Sequence, residues 1–212
     1  MRVGRPSGFR TVTPPPDPRR LETLLAEIQA CRACAAEFGH EPRPVLRVRP
    51  QTRLLICGQA PGRRVHESGV PFDDPSGDRL REWLGIDRQT FDGDPRIGVA
   101  PMAFCFPGTN PKGGDYPPPP RCATLWRPRL LAELPKVELT LLVGGYAQNW
   151  ALGKRAKPTL AQTVAAWRDY LPTYLPMPHP SWRNTAWLKR NPWFEEEVTP
   201  YLRARLNTIL AR

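Results

Sequence analysis

"RLLICGQAPGRRVHESGVPF", residues 53–72, decides how this chain is read. Residues 53–57, with the apolar run Leu54-Leu55-Ile56 at their centre, read as a buried strand. Gly58, Pro61 and Gly62 stop that strand. The turn they open is crowded with Arg63, Arg64, His66, Glu67 and Phe72. A plain turn has no use for that set of side chains, whereas the carboxyl end of a strand in a parallel sheet is where ligands sit.

Three further short runs read as buried strands, at residues 97–102, 139–143 and 173–176. Helical spacing separates them at residues 78–84, 123–134, 147–152 and 160–170. A first helix is announced by Asp17-Pro18, a cap followed by proline, and by Leu21, Leu24, Leu25, Ile28 and Cys31. Asn191-Pro192 repeats the cap signal before a last helix carrying Phe194, Val198, Leu202, Leu206 and Leu210, with Pro200 placed to kink its start. Strands alternating with helices predict an α/β fold: a central four-stranded, mostly parallel sheet in a three-layer α/β/α arrangement. Residues 1–16 read as a disordered basic arm and residues 17–212 as one domain, with a proline-rich loop at 106–120.

The chain carries 31 Lys and Arg against 20 Asp and Glu, a net charge of +11. Such an excess favours a polyanionic partner, nucleic acid first. No apolar run approaches the roughly 20 residues of a membrane span, and the N-terminus has no apolar signal core. The expectation is a cytoplasmic protein whose five cysteines are thiols or metal ligands.

Cys31 and Cys34 form a C-x-x-C pair at the end of the first helix, and Cys105 and Cys122 flank the proline-rich loop. Four thiolates suit a structural metal, zinc or a [4Fe–4S] cluster, which ligand type alone does not separate. Cys57 sits within a strand and reads as core. In "PMPHPSWRN", residues 176–184, His179 lies between prolines and ahead of Ser181, Trp182, Arg183 and Asn184. One imidazole, a stacking ring and a guanidinium are what holding a flipped base and filling its gap require.

Together these residues resemble the uracil-DNA glycosylase superfamily, and within it the iron–sulfur enzymes of families 4 and 5. "GQAPG" at residues 58–62 is similar to the family's first motif, with Gly69, Pro71, Phe72 and Gly77 at its later positions. "HPS" at 179–181 and "LKRNP" at 188–192 are similar to its last motif and the segment after it. The four cysteines follow the family's order.

The resemblance implies a monofunctional DNA glycosylase that flips uracil out of DNA and hydrolyses its N-glycosidic bond. No lysine stands in a motif as a Schiff-base nucleophile. By the same likeness His179 stabilises the leaving base and Gln59 positions water. Gly58, Ala60, Pro61 and Gly62 floor the pocket, Phe72 stacks on the base, and Ser181 adds a contact. Arg63 and Arg64 face phosphates, and Trp182, Arg183 and Asn184 form a wedge. Cys31, Cys34, Cys105 and Cys122 hold a [4Fe–4S] cluster, with zinc the alternative. The expected partner is uracil-containing DNA, the expected state a monomer, and the expected place the bacterial nucleoid.

The chain departs from the pattern where chemistry is concentrated. Gln59 stands where family 4 has glutamate, Val65 and His66 where acids are usual, and Pro101 where a uracil-reading asparagine belongs. His66 and Glu67 are the replacements at hand. Two other readings stand beside the first: a weak or inactive relative that binds damaged or abasic DNA, and a metal-dependent enzyme acting on another nucleotide or RNA.

Overall fold

The computed structural model describes residues 18–212, so the basic arm expected at 1–16 and the Asp17 cap lie outside the described residues. Four strands form the sheet: β1 (Leu54–Cys57), β2 (Ile97–Val99), β3 (Leu139–Val143) and β4 (Tyr174–Met177). Their order is β2-β1-β3-β4, and every pairing is parallel, with Leu54 opposite both Ile97 and Leu139. β1 lies inside the sheet with both edges paired, helices cover both its faces, and all four of its residues are buried.

The helices are α1 (Pro18–Gln29), α2 (Arg63–Ser68), α3 (Pro75–Leu84), α4 (Arg88–Gly93), α5 (Pro120–Ala132), α6 (Gly145–Leu152), α7 (Leu160–Ala165), α8 (Thr185–Arg190) and α9 (Thr199–Leu210). Side chains alternate along each strand and so sort the core into two layers. Leu54 and Ile56 of β1 and Leu139, Leu141 and Val143 of β3 join Leu80 and Leu84 of α3 and Leu202 and Leu206 of α9. On the opposite face Leu55 packs with α1 and α5, and Cys57 and Leu142 with Ala147 of α6. This is the three-layer α/β/α arrangement the pattern predicts.

Several boundaries differ, each for a local reason. β2 stops at Val99, short of 102, because the chain turns at Pro101, which has no N–H to pair. It still follows β1: Met102 donates to the Gly58 carbonyl at 2.9 Å and Ala103 to that of Gln59 at 3.1 Å. The helix expected over 160–170 breaks into α7 and a 3₁₀ turn, Trp167–Tyr170. Asn191 does not cap the last helix. Its side chain donates to the Trp187 carbonyl at 2.8 Å and accepts from the Trp193 indole at 3.2 Å. A π-turn, Phe194–Val198, then precedes α9 and absorbs the missing N–H of Pro200 where a kink was expected. Helices α2, α4 and α8, short and weakly periodic, were not legible beforehand.

Candidate active site

The first motif leaves β1 and becomes a pocket wall. Gly58 to Gly62 line a pocket together with Val65, Phe72, Asp74, Pro101 and His179. Its parts come from the carboxyl ends of β1 and β2 and from the loop after β4, as an α/β sheet dictates.

Phe72 is set in place by backbone. It has φ of 57°, the left-handed region that a bulky residue rarely occupies. Gly77 makes this possible: a side chain there would strike the Phe72 carbonyl. That carbonyl accepts from Arg81 at 3.2 Å. The ring meets Phe91 edge-on at 6.1 Å, and its Cζ would lie 3.7 Å from a Cβ on Gly58. Glycine at 58 therefore leaves the space beside the ring open.

His179 is positioned from three sides. The Ser181 backbone N–H donates to its Nδ1 at 3.2 Å. The Asn184 side-chain amide donates to its carbonyl at 2.7 Å. Gly144, with φ of 86°, packs beneath its Cβ. With Nδ1 accepting, the neutral ring carries its proton on Nε2. Burial lowers the His179 pKa below its usual 6.5, and the charge of Asp74 raises it part of the way back.

Asp74 is the acid that sequence reasoning missed. It caps α3, accepting from the Gly77 N–H at 2.8 Å, and it lines the same pocket as His179. Its signal was present as Asp-Pro ahead of a helix, a cap that reads as structural and turns out to face the pocket as well. His66 and Glu67 do not replace the missing acids. The His66 ring lies against His40, 4.7 Å between centroids, and Phe106, and neither residue lines the pocket. Gln59 does line it and donates to the Tyr116 carbonyl at 3.5 Å. Pro101, where a reading asparagine belongs, forms bare pocket wall.

Outside the pocket an open cleft gathers Arg63, Arg64, Ser181, Trp182, Arg183 and Asn184. Trp182 is 75 % exposed. Arg183 reaches across the cleft to the proline-rich loop, where a Cβ on Gly114 would stand 2.5 Å from its Nη1. That loop is a tight hairpin, with Asn110 donating to Gly114 at 2.7 Å and Tyr116 to Gly108 at 2.9 Å. Within this cleft the Asn184 amide is engaged with the His179 carbonyl, and Ser181 meets the imidazole through its backbone N–H.

Cys31, Cys34, Cys105 and Cys122 line one small cavity between the end of α1 and the start of α5. Burial, reinforced by the neighbouring thiols, pushes Cys105 up to about 12 and Cys122 up to about 11. The Phe104 N–H donates to the Cys122 Sγ at 3.4 Å. Among the described residues, no three His, Cys, Asp or Glu side chains converge closely enough to hold one metal ion. Cys57 is buried in the core, beside Met102.

A solution NMR structure of a provisionally assigned uracil DNA glycosylase from Methanosarcina acetivorans is 17 % identical, covering 74 % of this chain and 92 % of that one, with a TM-score of 0.46. The family model of the uracil DNA glycosylase superfamily matches residues 47–203, well over half of the sequence whose pocket has just been described. The chain belongs to the uracil DNA glycosylase superfamily.

Proposed function

We propose that this protein is a monofunctional glycosylase that excises uracil from DNA. One observation carries the reading. The Ser181 N–H occupies Nδ1 of His179, which leaves the proton on Nε2 of a residue that lines the same pocket as Phe72. The C1′–N1 bond breaks with its electron pair going to the base, and Nε2–H stabilises the negative charge gathering on the base oxygen. Water then adds to C1′. Asp74 faces the pocket and takes the water's proton, and Gln59 orients that water. No lysine lines the pocket, which supports hydrolysis without a Schiff base.

Cys31, Cys34, Cys105 and Cys122 all line one cavity and are the residues that would hold a [4Fe–4S] cluster, with zinc the alternative, since four thiolates suit either group. When bound, the cluster supplies a structural tie between the end of α1 and the start of α5. It lies apart from His179 and takes no part in the chemistry proposed.

A second reading keeps support from Pro101, which offers the base no amide to read. A protein that only binds abasic or damaged DNA would need none. Single- and double-stranded oligonucleotides containing uracil, incubated with pure protein and then treated with alkali, separate the two. Strand breaks at uracil are the expected result, and binding without breaks favours the second reading.

A further inference from the structure

Arg79 is half-buried on α3. On the same helix Arg81 shows the ordinary arrangement and pairs with Asp78 at 2.6 Å. The Arg79 guanidinium reaches the loop after β4 instead. Its Nη1 donates to the Ser181 carbonyl at 3.1 Å and its Nη2 to the Thr185 hydroxyl at 3.4 Å. Those two residues flank the 3₁₀ turn Trp182–Asn184, one at each end. A planar fork with preset donors suits the fixing of two points at once better than a flexible ammonium does.

What the turn carries gives this grip its consequence. The Ser181 N–H donates to Nδ1 of His179 at 3.2 Å, and the Asn184 amide donates to the His179 carbonyl at 2.7 Å. The turn also closes on itself: the Asn184 N–H donates at 3.0 Å to the same Ser181 carbonyl that Arg79 holds. Rotation of Ser181 would take its N–H off Nδ1 and leave the neutral ring free to carry its proton on either nitrogen. The helix at the other end of the grip serves the same pocket. Asp74 caps α3 and lines the pocket with His179, and Gly77 lies against the Phe72 carbonyl. Arg79 thus ties the helix that sets Asp74 and Phe72 to the loop that sets His179.

We propose that Arg79 is a positioning residue for His179: by holding both ends of the 182–184 turn it keeps the Ser181 N–H on Nδ1, and with it the imidazole proton on Nε2. The catalytic consequence rests on the uracil-excision reading; the placement of the proton does not. Arg79 does not line the pocket and moves no proton. Its contribution is geometric. A ring with its proton on Nδ1 would present a lone pair at Nε2, not a donor, to the negative charge developing on the base oxygen.

The test reads the ring nitrogens by nitrogen-15 NMR well above pH 6.5, where the His179 ring is neutral, with His179→Ala identifying its signals among those of the chain's 3 histidines. Wild-type protein should show one tautomer, protonated on Nε2. Arg79→Met should turn it into a mixture. The same variant should slow single-turnover excision from single strands by about 10- to 100-fold at saturating enzyme, the scale of a small misplacement of a catalytic group, with affinity for the strand nearly unchanged. Arg79→Lys should recover part of both. A wild-type ring protonated on Nδ1, an unchanged rate in the Met variant, or a slowed Met variant with its tautomer intact each overturns the proposal. The last of these is what a merely structural role would give. If Arg79→Met does not fold, Thr185→Val removes one contact alone: a smaller shift in the same direction supports the proposal, and an unmoved ring overturns it. Wild-type protein that releases no uracil refutes the excision reading, while the ring signals still decide whether Arg79 places the proton.

Discussion

At His179 a backbone N–H, that of Ser181, decides which nitrogen carries the proton. His179→Ala should lower the single-turnover rate by about 100- to 1000-fold, the usual cost of one donor aimed at a developing anion; an unchanged rate would remove His179 from the mechanism. The pH dependence follows from the depressed pKa. The folded protein resists a proton that the unfolded chain accepts below about pH 6.5. Stability from this group is therefore complete above pH 6.5 and declines as pH falls beneath it. Excision carried by the neutral ring should stay level down through pH 6.5 and drop only on the acid side, which a pH–rate profile reads directly. Phe72 and Gly77 make a second pair. Gly77→Ala would drive a methyl into the Phe72 carbonyl and move the ring off the pocket. The expected outcome is weakened uracil binding with a melting temperature lowered by several degrees, the scale of about 1–3 kcal/mol of backbone strain. Phe72→Ala should weaken binding and leave the fold standing, and thermal melts beside binding isotherms distinguish the two variants.

At the scale of elements, the loop after β4 and the proline-rich hairpin face each other across the cleft and meet through Arg183 and Gly114. Trp182 is left projecting from the 3₁₀ turn Trp182–Asn184, free to enter a duplex. Filling the gap left by an extruded nucleotide matters only where a stack must be broken, at about a few kcal/mol. Trp182→Ala and Arg183→Ala should therefore impair excision from double strands more than from single strands. If both substrates lose equally and added salt erases the loss, these residues only touch phosphate. Asn184→Ala should behave differently, slowing both substrates because it frees the His179 carbonyl.

Across the whole molecule, the four cysteines join segments far apart in sequence, from the end of α1 to the start of α5. Cys31→Ala should lower solubility and thermal stability, and anaerobically purified wild-type protein should be yellow-brown with absorption near about 400 nm. A colourless, well-folded protein with stoichiometric zinc would overturn the iron assignment. The net charge of +11 predicts that DNA affinity falls steeply with salt, and Arg64→Ala should shallow that slope by about one counterion.

What the sequence determined by itself is whatever local periodicity and chain order dictate. Apolar runs at residues 54–57 and 139–143, alternating with helical spacing, were enough for a parallel sheet covered on both faces, and the glycines after β1 marked its carboxyl end as the ligand site. His179 and Phe72 could be singled out because each lies in a compact motif, and the structure places both on the pocket. Only the tertiary structure could show that Asp74, a helix cap by its neighbours, faces His179, that His66 turns away onto His40 and Phe106, and that Asn184 is occupied. Nor could it be read from α3 that Arg79 reaches the loop after β4. Where a side chain points, and what charge it meets there, depends on segments brought together across the sheet, a relation that spacing along the chain does not encode.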